Sequence, residues 1–194
     1  MPEEESNLIW QQFLLGDNDA YSRLYNEYVQ ILFRYGSRFT SDSELIKDCI
    51  QDLFTSLYKN RKRLGPPPGN VKVYLFVSLK NNLARAIQRN ARYEHMDQDM
   101  HSFLLEPTVE EQFIDDESAR NQRNMVEKIL SVLTFRQKEI IYYRYIQELD
   151  FKDICTLMQL NYQSAQNLLQ RAIKVVKKKF LPSEYEKEQN DSFY

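Results

Sequence analysis

Two adjacent stretches of opposite charge most constrain how this chain of 194 residues can fold. Residues 59–92 contain nine Lys or Arg and no Asp or Glu, whereas residues 94–118 contain nine Asp or Glu and no Lys or Arg. The acidic stretch is typical of a loop, so its position favours two small domains joined by a flexible linker over a single domain. The basic stretch predicts a surface that binds a polyanion, since a basic helix that is merely solvated usually carries interleaved acids.

Apolar residues at three- and four-residue spacing predict two helices in the first half of the chain. One run extends from Leu24 to Tyr35 and the other from Leu45 to Leu57, and we expect their apolar faces to pack against each other. The whole chain has only four glycines, and its amphipathic runs are long. We therefore expect an all-α fold, with an antiparallel helical bundle in this half.

A proline-rich segment interrupts this helical pattern. Gly65-Pro66-Pro67-Pro68-Gly69 cannot continue a helix, because proline lacks the amide donor and clashes with the preceding turn. A loop is therefore predicted over about residues 60–70. A third helix follows, with a packed stripe that begins at Tyr74 and reaches Ile87.

The second half of the chain predicts a helix-turn-helix. Thr134 and Gln137 form a capping box, which begins a helix that we expect to run to about Tyr145. A short helix over 151–158, a tight turn at 159–161 and a longer helix over about 162–180 follow. Three-helix bundles that do not bind DNA reproduce the same spacing, so this pattern by itself is only moderately specific.

Side-chain amides dominate the exposed face of the last predicted helix. An amide can donate and accept at once across an adenine edge in the major groove, and the lysines at the end of the helix can contact phosphates. This face therefore predicts that the helix reads a DNA duplex. Its polar residues are Gln163, Gln166, Asn167, Gln170 and Lys174.

The residue types that carry catalysis or hold a cofactor are scarce. The only two histidines, His95 and His101, lie in the acidic stretch without a nucleophile or metal-ligand spacing, and the glycines form no phosphate-binding loop. Cys49 and Cys155 lie among apolar residues, where buried thiols are expected and a disulfide or metal site is not. We therefore expect no enzymatic activity, no cofactor and no metal.

The distribution of apolar residues also bears on where the protein resides. No apolar run is long enough to span a bilayer, and the first residues are acidic where a signal peptide would be basic. A cytoplasmic protein without direct membrane insertion is expected.

Three motifs, in order along the chain, resemble the extracytoplasmic-function sigma factors, the two-domain group of bacterial RNA polymerase sigma subunits. Asp48-Cys-Ile-Gln51-Asp52-Leu-Phe54 is similar to the family's helix that binds the β′ clamp helices of polymerase. The run from Tyr74 to Asn81 resembles the aromatic-led helix that holds promoter DNA at the minus-ten element. Arg171-Ala172 matches the end of the minus-thirty-five reader. The resemblance covers about residues 18–93 and 120–180.

The resemblance implies a domain plan and a set of partners. Residues 1–17 would be an N-terminal extension, 18–93 sigma region 2, 94–119 the acidic linker, 120–181 the region 4 helix-turn-helix and 182–194 a C-terminal tail. The partners would be core RNA polymerase, through its β′ clamp helices and β flap, promoter DNA, and an anti-sigma factor.

The resemblance also implies three groups of site residues. Those for core polymerase are Asp48, Gln51, Asp52 and Phe54. Those for minus-ten DNA, where extruded bases need stacking partners and edge contacts, are Arg61, Lys62, Arg63, Lys72, Tyr74, Lys80, Asn81, Arg85 and Arg89. Those for minus-thirty-five DNA are Gln163, Ser164, Gln166, Asn167, Gln170, Arg171 and Lys174.

Some features of the chain leave alternatives open. Tyr74 stands where the family usually has tryptophan, and its burial in the bundle competes with a role in stacking bases. Gln159 stands where the turn usually has glycine, and Gln166 and Leu168 replace basic residues, which leaves the minus-thirty-five sequence undetermined. The rival functions are a stand-alone helix-turn-helix regulator, which would use only the second half, and a helical adaptor that binds no DNA.

Overall fold

The computed structural model describes residues 3–66, 70–94 and 128–181, and in the last five residues of the second range only the backbone. The chain divides into two compact units, residues 1–104 and 105–194. Every regular element among the described residues is helical, which confirms the all-α prediction. Most of the predicted acidic linker, both histidines and the C-terminal tail lie outside the described residues.

The first unit is a bundle of four helices. They are α1 (Glu3–Leu14), α2 (Asn18–Gly36), α3 (Ser43–Asn60) and α4 (Val71–Glu94), and a 3-10 turn, Arg61–Arg63, follows α3. Asp17 and Asp42 cap α2 and α3 by accepting hydrogen bonds from amides of the first turn, as short acidic side chains commonly do. Helix α3 thus ends, and α4 begins, on either side of the segment in which the sequence predicts a loop.

Stacked aromatic rings form the centre of this bundle. Tyr35 of α2 lies parallel to Phe76 of α4, with ring centroids 4.0 Å apart, and Phe39 meets Tyr35 edge to face. Leu79 and Leu83 of α4 are fully buried in the same core. The apolar periodicity predicts Val77 and Ser78 in the packed stripe of α4 and leaves out Phe76. In the structure Phe76 is buried, while Val77 and Ser78 are only half-buried.

Helix α1 is an integral part of the bundle. It packs against α2 and α4, and Ile9, Trp10 and Phe13 are each only 1% exposed. The sequence analysis set residues 1–17 apart as an extension and named no core residue there. The three apolar positions at one- and three-residue spacing were the available signal, since they lie on one face of a helix.

Gly36 of α2 lies directly against Ile46 of α3. A Cβ at this position would lie 2.7 Å from Cγ2 of Ile46, a side chain that is 1% exposed and has little room to move. Overpacking of this kind costs typically about 1–3 kcal/mol, whereas alanine improves helix propensity by roughly 1 kcal/mol. We expect Gly36→Ala to lower the free energy of unfolding by up to about 2 kcal/mol in urea denaturation.

Gly65 supplies the matched control for that substitution. A Cβ at Gly65 meets no atom within 4 Å. Gly65→Ala should therefore leave the stability of the bundle unchanged or slightly increase it. Equal losses of stability for the two alanine variants would mean that overpacking against Ile46 is not the cause of the loss at Gly36.

The second unit contains the predicted helix-turn-helix. Its described part begins with a helical segment at 128–131 and continues with α5 (Phe135–Ile141), α6 (Phe151–Met158) and α7 (Tyr162–Phe180). The capping box of Thr134 and Gln137 is present, and α6 and α7 have the predicted bounds. Asp150 and Asn161 cap α6 and α7 through their side-chain oxygens.

Helix α5 is shorter than predicted. It ends at Ile141, and the chain continues in a wider π-helical turn, Tyr142–Ile146. In this turn the amide of Gln147 donates to the carbonyl of Tyr142 at 3.0 Å, and the two consecutive tyrosines, Tyr142 and Tyr143, are both buried. The spacing of apolar residues in the sequence does not predict this turn, because a π-bulge departs from the regular spacing that identifies an α-helix.

A buried carboxylate lies at the centre of the second unit. Glu139 is 0% exposed; it accepts a hydrogen bond from the Tyr143 hydroxyl at 3.1 Å, and Arg136 lies 3.9 Å away. Arg136 also donates to the carbonyl of Met158 at the end of α6. These contacts join α5 to α6, so they hold the helix-turn-helix on the rest of the unit.

Candidate polymerase and nucleic-acid interfaces

A polar groove of about 870 Å³ lies between α3 and α4 in the first unit. Leu53, Leu57 and Leu64 form apolar parts of its lining, and the remaining walls are rich in hydroxyl, amide and guanidinium groups. Such a mixture can hydrogen-bond to the edges of bases and attract phosphates. The polar lining residues are Asp52, Ser56 and Asn60 of α3 and Tyr74, Ser78, Asn81, Asn82, Arg85, Gln88 and Arg89 of α4.

Four of the residues predicted for minus-ten DNA meet in this groove: Tyr74, Asn81, Arg85 and Arg89. They recur at four- and seven-residue spacing along α4, which places them on one face. The guanidinium of Arg85 is oriented by the carbonyl of Asn81 at 3.1 Å and by Oδ1 of Asn82 at 3.2 Å. The groove therefore contains an oriented guanidinium group beside side-chain amides.

Tyr74 takes part in both packing and the groove. Its ring is half-buried, meets Trp10 edge to face with centroids 5.2 Å apart, and also lines the groove. Burial of Tyr74 in the bundle, one of the two alternatives that the sequence left open, therefore does not remove its ring from the groove, where the other alternative, stacking on bases, would require it.

The 3-10 turn after α3 borders the groove. Asn60 and Leu64, which flank the turn, both line it. Lys62 and Arg63 are exposed there, while the guanidinium of Arg61 lies over the Tyr58 ring at 5.0 Å.

Two other predicted minus-ten residues, Lys72 and Lys80, do not line the groove. Their ammonium groups lie over aromatic rings of the core, at 5.6 Å from Phe76 and 5.9 Å from Phe39. Lys72, Phe76 and Lys80 are spaced by four residues, so they form a different face of α4. The structure therefore does not bring these two cations together with Asn81 and Arg85.

The residues predicted for polymerase divide into two kinds. Asp48, Gln51 and Asp52 are exposed on one face of α3. Phe54 is only 2% exposed and packs edge to face against Tyr25 at 5.0 Å and Tyr21 at 6.2 Å. Phe54 therefore lies inside the bundle, where its ring supports the face of α3 that carries the three exposed residues. Its direct contact with polymerase stays a prediction.

Cys49 lies at the floor of the groove as a neutral thiol. Burial raises its pKa, the Asp52 carboxylate adds to that shift, and Arg89 opposes it. Asp52 and Arg89 therefore both act on the same buried sulfur, so the acidic face of α3 and the basic face of α4 adjoin at this point. The buried state agrees with the expectation for Cys49, whereas Cys155 is half-buried.

The exposed face of α7 carries the predicted duplex-reading residues. Gln163, Asn167, Gln170, Arg171 and Lys174 are exposed, whereas Ser164 and Gln166 are half-buried. Nε2 of Gln163 donates to Oδ1 of Asn167 at 3.0 Å, and Nε of Arg171 donates to the Asn167 carbonyl at 3.2 Å. These bonds orient three neighbouring side chains before any DNA is bound.

The turn before α7 adopts a left-handed conformation. Gln159 has φ 53° and ends α6, and its amide donates to the Cys155 carbonyl. This is the position at which glycine is usual, because a Cβ is strained there. The chain thus keeps the geometry of the turn without glycine.

Part of the groove lining was not predicted from the sequence. Asn82 and Gln88 line it together with Ser56 and Asn60. Asn82 adjoins the predicted Asn81, and Gln88 continues the same face of α4 at seven residues from Asn81. Helical spacing was therefore a usable signal for α4, whereas nothing in the sequence indicates which residues of α3 face it.

Within 3–66, 70–94 and 128–181, no group of three His, Cys, Asp or Glu residues is placed to hold a metal ion. In the same ranges, the helices that are long enough to cross a bilayer are too polar to do so.

Two family models match the sequence. One is sigma-70 region 2, which matches residues 24–93, and the other is sigma-70 region 4, which matches residues 123–175. The first range holds α3, α4 and the groove, and the second holds the helix-turn-helix. Together the two ranges cover more than half of the chain. No curated protein matched the sequence.

Solved structures show the same fold. The structure of CnrH in complex with the cytosolic domain of CnrY aligns with a TM-score of 0.58 at 16% identity, over 89% of this chain and 95% of that chain. The sigma factor RpoE, in complex with the anti-sigma factor NepR from Bartonella quintana, aligns with a TM-score of 0.56 at 15% identity, over 81% of this chain and 94% of that chain.

Proposed function

The chain belongs to the sigma-70 family, as a sigma factor of the extracytoplasmic-function type, and on that premise we propose which of its surfaces make each contact. A sigma factor binds core RNA polymerase and directs promoter recognition. The observation that carries the proposal is the groove, because it gathers an aromatic ring, amides and two guanidinium groups beside the exposed acidic face of α3.

The groove between α3 and α4 is the site that holds the minus-ten strand. Arg85 and Arg89 contact its phosphates, and Tyr74 and Asn81 contact a base that leaves the stack as the duplex melts. Lys62 and Arg63 extend the positive charge beside the groove. No covalent chemistry is required of these residues, so the role is regulatory and not enzymatic.

The exposed face of α3 binds core polymerase. Asp48, Gln51 and Asp52 form its polar contacts, and a basic surface on the β′ clamp helices is their complement. The buried Phe54 maintains the position of this face. Since Asp52 also lines the groove, polymerase and the minus-ten strand are bound on adjoining surfaces.

Helix α7 reads the minus-thirty-five duplex in the major groove. Its amide face supplies base contacts, and the lysines of its last turn, Lys177, Lys178 and Lys179, supply phosphate contacts. The β flap of polymerase is the proposed partner of the same unit.

An anti-sigma factor is a further proposed partner. Structures of the same fold include a sigma factor in complex with an anti-sigma factor. A regulator of transcription acts where the chromosome is, so we place the protein in the cytoplasm.

Run-off transcription with core polymerase and a pool of genomic templates tests the proposed function. We expect the full chain to direct discrete transcripts that core polymerase alone does not produce. A stand-alone helix-turn-helix regulator would bind an operator without polymerase and yield no such transcripts. That alternative is not favoured, since the match to region 2 covers α3 and α4, which it would not use.

Substitutions on α7 test the duplex-reading face. Asn167→Ala and Gln170→Ala should each remove a base contact and cost about 1–3 kcal/mol of discrimination at one or two positions of the minus-thirty-five element. Lys178→Ala should weaken binding of all sequences alike, because a phosphate contact carries no sequence information. Holoenzyme binding to a library of duplexes measures both effects. A uniform loss for the amide variants would place this face away from the major groove.

A further inference from the structure

We propose that Trp10 is a positioning residue for the minus-ten groove, which it holds open by bracing the loop after α3 against Tyr74. The inference rests on the proposed function of the groove. Trp10 itself does not line the groove, so its effect on DNA would pass through the two elements that it touches.

The first contact of Trp10 is a hydrogen bond to the loop. Its indole Nε1–H donates to the carbonyl of Gly65 at 3.2 Å. Gly65 is exposed, and a Cβ added to it would meet no atom within 4 Å. It directly follows Leu64, which lines the groove. With little packing around Gly65, this bond is a specific link between the loop and the buried face of α1.

The second contact of Trp10 is with the aromatic ring in the groove. The Trp10 and Tyr74 rings meet edge to face, with centroids 5.2 Å apart and an interplanar angle of 67°. Trp10 is 1% exposed and also meets the Phe13 ring edge to face, with centroids 5.6 Å apart. A ring fixed in this way limits the positions that Tyr74 can adopt.

The two contacts lie on opposite sides of the break between α3 and α4. Gly65 follows the 3-10 turn that ends the α3 side, and Tyr74 lies in the first turn of α4. The start of α4 is fixed separately, since Oδ1 of Asn70 accepts from the Lys72 amide at 2.8 Å. One buried side chain thus contacts both the residue after Leu64 and the ring of Tyr74, and Leu64 and Tyr74 both line the groove.

The turn between α1 and α2 lies close to the 3-10 turn as well. Gly16 has φ 101°, and a Cβ at this position would lie 3.6 Å from Nη2 of Arg61. Arg61 begins the 3-10 turn that borders the groove. Helix α1 and the turn after it therefore approach the loop at two places, through Trp10 and through Gly16.

The indole donor distinguishes this role from ordinary core packing. A buried ring that only fills space can be replaced by another ring of similar size, whereas the bond to Gly65 requires the Nε1–H group. Trp10→Phe removes the donor and keeps an aromatic ring. Ile9→Ala is the matched control, because Ile9 is equally buried in α1 and has no part in the bond to Gly65.

Binding of a fork-junction probe with a single-stranded minus-ten element by the reconstituted holoenzyme tests the inference. We expect Trp10→Phe to weaken binding about fivefold to tenfold, the range that the loss of one hydrogen bond predicts. It should also reduce discrimination between minus-ten sequences, while assembly with core polymerase is unchanged. Ile9→Ala should lower thermal stability at least as much and leave the discrimination as in the wild type.

Trp10 is the only tryptophan in the chain, which allows a test without any substitution of its contacts. The chain labelled with 5-hydroxytryptophan and assembled with unlabelled core polymerase can be excited selectively. Its emission should change on addition of the minus-ten probe and should not change with a minus-thirty-five duplex. Unchanged emission at a saturating concentration of the minus-ten probe would overturn the inference even if Trp10→Phe failed to fold.

A groove variant separates failure of the inference from failure of the proposed function. If Arg85→Glu with Arg89→Glu abolishes binding of the probe while Trp10→Phe binds and discriminates as the wild type does, the groove is the DNA site and the role of Trp10 is wrong. If the groove variant binds the probe normally, the proposed site is wrong and the inference falls with it.

Discussion

Replacement of Asp48 and Asp52 by lysine should abolish assembly of the chain with core RNA polymerase. Both carboxylates are exposed on one face of α3, so their loss changes an interface and no buried contact. Like charges facing each other across an interface cost several kcal/mol. We therefore expect the dissociation constant to rise at least about a thousandfold, as measured by fluorescence titration with core polymerase.

The same experiment needs a variant with an equal change of charge elsewhere in the bundle. Glu3 and Glu4 are exposed in the first turn of α1, outside the proposed interface. Glu3→Lys with Glu4→Lys should assemble with polymerase nearly as well as the wild type, and helical circular dichroism should be unchanged in both double variants. Normal assembly of the Asp48 and Asp52 variant would show that this face of α3 does not contact polymerase.

Reversal of the two groove guanidinium groups should prevent promoter opening without preventing assembly. Arg85 and Arg89 are exposed and line the same wall of the groove. A hydrogen bond to a charged group contributes about 1.5–3 kcal/mol, so the loss of two predicts at least about a hundredfold weaker binding of the minus-ten strand. Permanganate footprinting of unpaired thymines should show no open complex.

Salt dependence gives an independent measure of this effect. Each phosphate contact to a single strand contributes about 0.7 to the slope of log affinity against log salt, so alanine at both positions should reduce that slope by about 1.4. Arg34→Glu, an exposed change on α2 outside the groove, is the control and should leave the slope unchanged. An unaltered slope in the alanine variant would exclude phosphate contacts by Arg85 and Arg89.

Much of the helical architecture follows from local chemistry that the sequence displays. The bounds of α6 and α7 were predicted correctly because Asp150 and Asn161 are caps that end a turn and begin a helix through their own side chains. The capping box at Thr134 is equally local. The prolines after Gly65 interrupt the helical pattern for a reason that does not depend on the rest of the fold.

The candidate groove was predicted only in part. Tyr74, Asn81, Arg85 and Arg89 share a face of α4, and helical spacing is enough to place them together. Lys72 and Lys80 belong to the same basic stretch but lie over Phe76 and Phe39. Charge composition cannot separate these two sets, because it contains no information on which face of the helix meets the core.

The sequence by itself determined the helical class, the division of the chain and the ends of α6 and α7, since these depend on composition, periodicity and caps within a few residues. The family followed from the resemblance of three motifs to those of known sigma factors. Only the tertiary structure decided that Phe54 is buried beneath Tyr21 and Tyr25 and that α1 belongs to the bundle. It also decided that Trp10 reaches the Gly65 carbonyl across 55 positions of sequence. Such contacts depend on how helices pack around one another, and that arrangement is set by the complementary shapes of several faces at once.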